Sequence, residues 1–322
     1  QDQIVELLSD NEEQQFIFLT GAAGTGKTTL LERVKNQLSS KKIVVAPTGI
    51  AALNIGGTTI NSAFRIGFET IPVITKSKDP RFAKLLKNLE LLIIDEVSMV
   101  RAPMLDAISQ SLQIYKRSTE PFGGIHVLAC GDLFQLPPVV KQHEEREIYD
   151  RYDSIYFFDA LSFKEVKNVK YFQLDKSFRQ EEDEGFYELL NNIRIGSDLE
   201  KTINKINSQC FDPTLESDAY MTLTSRKNRA EELNNHKLTY LDSPEEIIKS
   251  KEFGDLNEND LPAPRELKIK QGASVMFIKN DSEGRWVNGT LGTVSECLDK
   301  KKKCIKVKIN SKTHKVEREE WN

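Results

Sequence analysis

The chain has 322 residues, 39% of them hydrophobic and 29% charged, with a formal net charge of −4, which suits globular domains with ordinary cores and leaves room for about two at ~150 residues each. No apolar run approaches the ~20 residues of a membrane helix, the first residues lack the basic-then-apolar pattern of a signal segment, and Cys130, Cys210, Cys297 and Cys304 lack metal-ligand spacing. A membrane partner and a structural zinc are therefore not expected, free thiols in a cytosolic or nuclear-type compartment are, and the acidic balance argues only weakly against nucleic acid because a basic groove can sit on an acidic protein.

Residues 16–19, Phe-Ile-Phe-Leu, read as a short buried strand. Directly after them come Gly21, Ala22, Ala23, Gly24, Thr25, Gly26, Lys27, Thr28 and Thr29, which fit G-x-x-x-x-G-K-[ST]. In that pattern a glycine-rich turn closes backbone N–H groups around phosphate oxygens, the lysine reaches the β/γ-phosphates, and the hydroxyl of Thr28 takes a place on Mg²⁺. Leu30, Leu31, Val34 and Leu38 then recur with helical spacing. The turn thus sits at a helix N-terminus, where unpaired N–H groups and the helix dipole favour an anion. The expected ligand is a nucleoside triphosphate.

Residues 43–46 form the next strand and run into Pro47, Thr48 and Gly49, on their own only a strand-to-helix turn. Thr58, Thr59, Asn61, Ser62 and Phe64 follow, offering hydroxyls, an amide and a ring suited to phosphate contacts and base stacking on single strands. A buried Phe64 is an equal alternative. Between residues 66 and 88 the pattern weakens to a small insertion ending in a short helix over 81–87. The strand at 91–94 ends in Asp95 and Glu96, an arrangement in which the first carboxylate holds Mg²⁺ and the second orients or deprotonates an attacking water. The strand at 126–130 runs into Gly131-Asp132-Leu133-Phe134-Gln135-Leu136-Pro137-Pro138. The Gln135 amide can donate and accept at once, which suits a γ-phosphate sensor.

A second α/β unit is expected from about residue 153, with a strand over 170–174, and Phe186, Leu189, Leu190 and Ile193 as one helix face before Gly196. Residues 243–266 are charged and proline-containing and read as a loop. From Ala273 the pattern turns to β: 274–278, 293–296 and 304–309, the start of a small barrel. Lys300–Lys303 and the lysines of 305–309 make one barrel edge basic, either as a solvated hairpin or as a nucleic-acid contact. Strands alternating with helices argue for an α/β fold built on parallel sheets, with functional groups at the carboxyl ends of the strands.

Taken in order, GAAGTGKT, APTGIAALNIGGTTINSAF, LLIIDEVSM, PFGGIHVLACGDLFQLPPV, LDKSFRQ with FYELLNNIRIG, and GASVMFIKN with VNGTLGTV resemble the PIF-type DNA helicases of superfamily one, the branch that also holds RecD-like and Dda enzymes. The resemblance covers essentially the whole chain. It implies two RecA-like lobes clamping ATP and Mg²⁺, with single-stranded DNA across both, 5′-to-3′ translocation and duplex unwinding. It also implies roles in replication, recombination, repair and telomere maintenance, in the bacterial nucleoid or a eukaryotic nucleus or mitochondrion. A monomer is expected.

Residue by residue, the resemblance makes Lys27 and Thr28 P-loop ligands, Asp95 and Glu96 the metal and water residues, and Gln135 the sensor. It makes Arg179 an arginine finger from the second lobe, and Pro47, Thr48, Gly49 and the 58–64 segment the DNA track. Gln1 or Gln3 takes the adenine-reading position. The implied lobes are 1–152, carrying the 66–88 insertion as candidate wedge, and 153–281, with an SH3-like insertion from 282 to 322. Asn61 stands where the family has a histidine, and the later family motifs, including another arginine finger, have no counterpart before Asn322. The sequence is expected to be part of a longer enzyme. The competing reading from another class is an ATP-switched single-stranded nucleic-acid-binding protein without unwinding activity. Another P-loop enzyme, such as a small-molecule kinase, leaves Arg179 and GDLFQLPPV unexplained.

Overall fold

The computed structural model describes residues 2–9, 13–38, 41–176, 184–212, 222–251, 263–281, 283–299 and 304–320. The chain divides into two compact units, Gln1–Phe211 and Asp212–Asn322. Unit one begins with α1 (Asp2–Ser9), β1 (Phe16–Gly21), α2 (Lys27–Gln37), β2 (Lys42–Ala46), α3 (Gly49–Asn54), β3 (Thr58–Thr59), α4 (Ile60–Phe64) and α5 (Pro80–Asn88). It continues with β4 (Leu91–Ile94), α6 (Ala102–Lys116), β5 (His126–Cys130), α7 (Gln142–Tyr149), α8 (Leu161–Lys164), β6 (Val169–Leu174), α9 (Glu184–Ile195) and α10 (Leu199–Cys210).

The six strands form one sheet in the order β3-β2-β4-β5-β1-β6, and every neighbouring pair is parallel. Every residue of β1, β4 and β5 is buried. Period-two alternation splits these apolar runs between two cores. Phe16, Phe18, Leu92, Ile94, Val127 and Ala129 face a core completed by α5 and α6. Ile17, Leu19, Ile93, Leu128 and Cys130 face a second core, closed by Ile4 and Leu8 of α1 and by Leu30, Leu31 and Val34 of α2. Leu128 is fully buried in the middle of this layer. Leu128→Ala should therefore lower stability by about 2–5 kcal/mol, read as a drop in denaturant midpoint at unchanged m-value; a shift too small to measure would mean that this layer does not hold the sheet.

Three expectations are corrected by the topology. The strand expected at 170–174 does not open a separate α/β unit: β6 pairs with β1 along its whole length, from Phe16 opposite Val169 to Gly21 opposite Leu174. The 66–88 stretch is only partly an insertion. Its helical half, α5, starts on a proline capped by Asp79, which accepts from the Arg81 N–H at 2.9 Å. That helix drives Phe82 and Leu86 into the main core. Its irregular half holds Phe68 and Val73 at 86% and 82% exposure. The stretch expected as a loop over 243–266 carries strand β7, named below.

Unit two contains α11 (Lys227–Thr239), the antiparallel pair β7 (Glu246–Lys249) and β8 (Glu266–Ile269), and β9 (Ser274–Met276), β10 (Leu291–Asp299), β11 (Cys304–Ile309) and β12 (Lys312–Val316). The last four make an antiparallel sheet in the order β12-β11-β10-β9, with Val294, Cys304, Val307 and Ile309 buried. Lys306 and Lys308 alternate outward between them, and Lys306 pairs across the strands with Glu296 at 2.6 Å. Residues 300–303, the expected basic run, lie outside the described residues. Among the described residues no helix is long and apolar enough to cross a membrane, and Cys130, Cys210, Cys297 and Cys304 are free thiols.

A candidate nucleotide site on the carboxyl edge of the sheet

The loop after β1 has the shape its glycines imply. Gly26 caps α2 in the left-handed region at φ 89°, a conformation that only glycine adopts without strain. At Gly21 an added Cβ would stand 2.6 Å from the Leu174 carbonyl oxygen of β6, so the close approach of β6 to the loop forbids a side chain. The Thr25 hydroxyl is buried and donates to the Ala22 carbonyl at 2.9 Å, which fixes the turn from inside. Lys27 Nζ donates to the carbonyls of Gly21 at 2.6 Å and Ala22 at 3.0 Å. The amine thus lies folded over the loop. Thr28 and Thr29, on the first turn of α2, are exposed.

Because β5 lies between β1 and β4, the Gly131-Asp132 loop is flanked by the phosphate loop on one side and by Asp95-Glu96 on the other. Asp95 Oδ1 accepts from the Glu96 N–H at 3.0 Å. Burial pushes the Asp95 carboxyl above the usual carboxylate range, against the Glu96 N–H, the Cys130 thiol and the Lys27 charge, which favour ionisation. Glu96 is also raised, by burial and then by the Asp95 and Asp132 charges, with Lys27 opposing. Its backbone sits at φ 51°, a left-handed conformation uncommon for a side-chain-bearing residue and characteristic of constrained functional turns. Cys130 is held as the neutral thiol, chiefly by burial and then by Asp95. Asp95 and Glu96 thus stand close together, with Lys27 as the cation that both feel.

Asp132 is the most enclosed of these groups, its side chain fully buried. It accepts from the Phe134 N–H at 3.1 Å and from Gln135 Nε2 at 3.3 Å. Arg194 of α9 closes on it with Nε at 2.8 Å and a terminal nitrogen at 2.9 Å, and lies 4.5 Å over the Phe134 ring. Burial alone would raise the Asp132 carboxyl, but Arg194, the Phe134 N–H and the Gln135 amide together hold it below its ordinary value.

The residues expected to line a DNA track lie at the other end of the same edge, after β2 and β3. Thr48 caps α3 by accepting from the Ala51 N–H, and Thr59 caps α4 by accepting from the Ser62 N–H. Thr48 and Ser62 are exposed, while Pro47, Gly49 and Thr59 are half-buried. Asn61 spends its amide on the Ile66 and Gly67 carbonyls, at 3.1 and 3.0 Å. Of the two readings of Phe64 the stacking one is corrected: at 3% exposure its ring belongs to the main core and is not open to a base. Gln3 is exposed on α1, next to the Asp2–Arg33 pair that ties α1 to α2. Gln1 and Arg179 lie outside the described residues.

A family model described as PIF1-like helicase matches residues 1–204. The chain belongs to the PIF1-like helicase family. It is 33% identical over 306 residues to the ATP-dependent DNA helicase PIF1 of Candida albicans, covering 88% of this chain and 33% of that protein. The ATP-dependent DNA helicase Pif1 of Bdellovibrio bacteriovorus is 33% identical over 300 residues, covering 90% and 65%. The crystal structure of Pif1 helicase from Bacteroides in complex with ADP-AlF3 and ssDNA superposes with a TM-score of 0.84 at 37% identity, over 99% of this chain and 74% of that one. The chain thus spans about a third of the fungal relative's length and 65% of the bacterial one's.

Within this PIF1-like chain, the sequence reading of the site passed over Asp132 and Arg194. Asp132 carries a local signal, a lone carboxylate directly after a buried strand. Arg194 lies in the FYELLNNIRIG segment, but nothing local points to its partner, which is 62 residues away.

Proposed function

We propose that this chain carries the ATP-hydrolysing lobe, and part of the remainder, of an ATP-dependent DNA helicase that moves 5′ to 3′ on single-stranded DNA and unwinds duplex or structured DNA. The observation that carries the reading is one sheet edge with a phosphate loop, a paired carboxylate and a glutamine loop side by side, and a second run of exposed polar caps farther along. The first group suits a triphosphate. The second suits a strand whose phosphates meet Thr48 and Ser62.

In this reading the loop N–H groups and Lys27 bind the β/γ-phosphates, and Lys27 leaves its two carbonyl partners to do so. Glu96 orients the attacking water and takes its proton, a role suited to a carboxyl whose proton affinity is already raised. Gln135 contacts the γ-phosphate, and Arg179 is the candidate arginine finger. Thr28 and Asp95 fit Mg²⁺, which takes few protein oxygens and keeps its remaining positions for water and phosphate. When bound, the ion neutralises charge on the phosphates. Gln3 or Gln1 reads the base. The first lobe extends through β6, later than the sequence suggests, and single-stranded DNA passes over the caps of α3 and α4. The protein acts wherever cellular DNA is held, in replication, recombination or repair, as a monomer.

The irregular half of 66–88 is the proposed wedge, with Phe68 its most exposed aromatic. Phe68→Ala should slow unwinding while leaving DNA-stimulated hydrolysis unchanged; equal loss of both would make the segment merely structural. The functional reading itself is tested by ATP turnover of the full-length protein with and without single-stranded DNA. Strong stimulation is expected, and turnover indifferent to DNA would overturn it.

A further inference from the structure

We propose that Arg194 is a positioning residue for ATP turnover, acting through Asp132 on the Gln135 loop; the proposal rests on the ATP-hydrolysis reading above. The Asp132 carboxylate is fully buried and accepts four hydrogen bonds, two from Arg194, one from the Phe134 N–H and one from Gln135 Nε2. An ionised carboxylate has about four lone-pair sites, so this one is saturated. The Arg194 pair is bidentate and charge-assisted, at 2.8 and 2.9 Å, the strong form of such a contact. The Gln135 contact is the longest of the four, at 3.3 Å, and its side chain is exposed.

This asymmetry has a chemical use. Arg194 supplies the charge and geometry that keep Asp132 in place, so the loop stays fixed when the Gln135 amide exchanges Asp132 for a γ-phosphate oxygen. The guanidinium also lies over Phe134, so it steadies two residues of the loop, Asp132 and Phe134. Without Arg194 the buried carboxyl loses its counter-ion and its two shortest hydrogen bonds. Gln135 Nε2 and the Phe134 N–H become its remaining donors, and the sensor is held back from the nucleotide. A lysine at position 194 keeps the charge but cannot make the two-pronged contact.

The test is a double-mutant cycle between Arg194→Gln and Gln135→Ala in the full-length protein, read as kcat and KM for ATP with saturating single-stranded DNA. Arg194→Gln should lower kcat by up to about 10²-fold, the scale of a misplaced catalytic group, with KM unchanged because the phosphate loop is untouched. In the Gln135→Ala background the same change should add nothing. Full additivity in the cycle, or wild-type kcat in R194Q, overturns the proposal while leaving the ATPase reading intact. Wild-type turnover in Q135A alone removes the sensor role and the proposal with it. Should R194Q fail to fold, Arg194→Lys serves instead: a kcat loss that vanishes in the Q135A background supports the proposal, and wild-type kcat refutes it.

Discussion

Replacing Lys27 by alanine is expected to cut ATP turnover by about 10²–10³-fold, the effect of removing one charge-stabilising donor, and to abolish unwinding with it. The fold should survive. Among the described residues, Lys27 Nζ donates to the Gly21 and Ala22 carbonyls of its own loop, and the half-buried side chain is part of neither core. The α2 side chains that close the second core are Leu30, Leu31 and Val34, none of which Lys27 supports. Turnover measured beside thermal unfolding separates the two effects. Intact turnover in the alanine variant would show that the loop does not grip a triphosphate, and gross unfolding would show that the amine is structural.

Glu96→Gln should have a comparable effect on chemistry and should raise stability. As the proposed base it contributes about 10²–10⁴ in rate, so turnover should fall by that factor while nucleotide binding persists. The stability sign follows from the raised carboxyl. Burial, then the Asp95 and Asp132 charges, make the folded state bind the Glu96 proton more tightly than the unfolded chain does. Ionisation at neutral pH therefore opposes folding, and stability rises as pH falls through the raised value. Glutamine removes the charge and keeps the shape, so the nucleotide-free variant should unfold at a higher temperature and lose part of that pH dependence. A lower unfolding temperature would mean that the Glu96 charge is paired favourably, contrary to the geometry described.

The parts of this architecture that could be read from sequence are those whose signal is local. The strands expected at 16–19, 43–46, 91–94 and 126–130 appear as β1, β2, β4 and β5 with small differences in their ends, because near-continuous apolar runs fit strands covered on both faces. The short helix expected at 81–87 is α5, extended by its proline start. The phosphate loop and the Asp95-Glu96 pair were legible because their chemistry depends on consecutive residues. What a strand lies beside is not encoded in its own period, and β6 therefore read as a new unit although it joins β1. Phe64 left two readings open because an aromatic at a helix end fits a core or a base equally; only the tertiary contacts decide. Residues 243–266 hid β7 for another reason, since its charged neighbours outweigh Ile247 and Ile248. The Arg194–Asp132 pair joins a helix to a distant strand end and leaves no trace in local pattern.

The geometry also explains why so much charge tolerates such close quarters. Asp95, Glu96 and Asp132 meet at the ends of neighbouring strands with Lys27 and Arg194 as the cations placed against them. Like charges gathered this way oppose the fold on their own, and functional sites commonly retain such strain for their chemistry. Arg194 relieves Asp132, whereas the Asp95 and Glu96 carboxyls keep their raised proton affinity.

The central claim is that triphosphate cleavage at this sheet edge drives motion along a DNA strand, and it is met most directly by unwinding of duplexes bearing either a 5′ or a 3′ single-stranded tail. The full-length protein with ATP should separate the 5′-tailed duplex and leave the 3′-tailed one paired, and Lys27→Ala should separate neither. Robust DNA-stimulated hydrolysis without separation of either substrate would contradict the claim and leave a nucleotide-switched DNA-binding protein in its place.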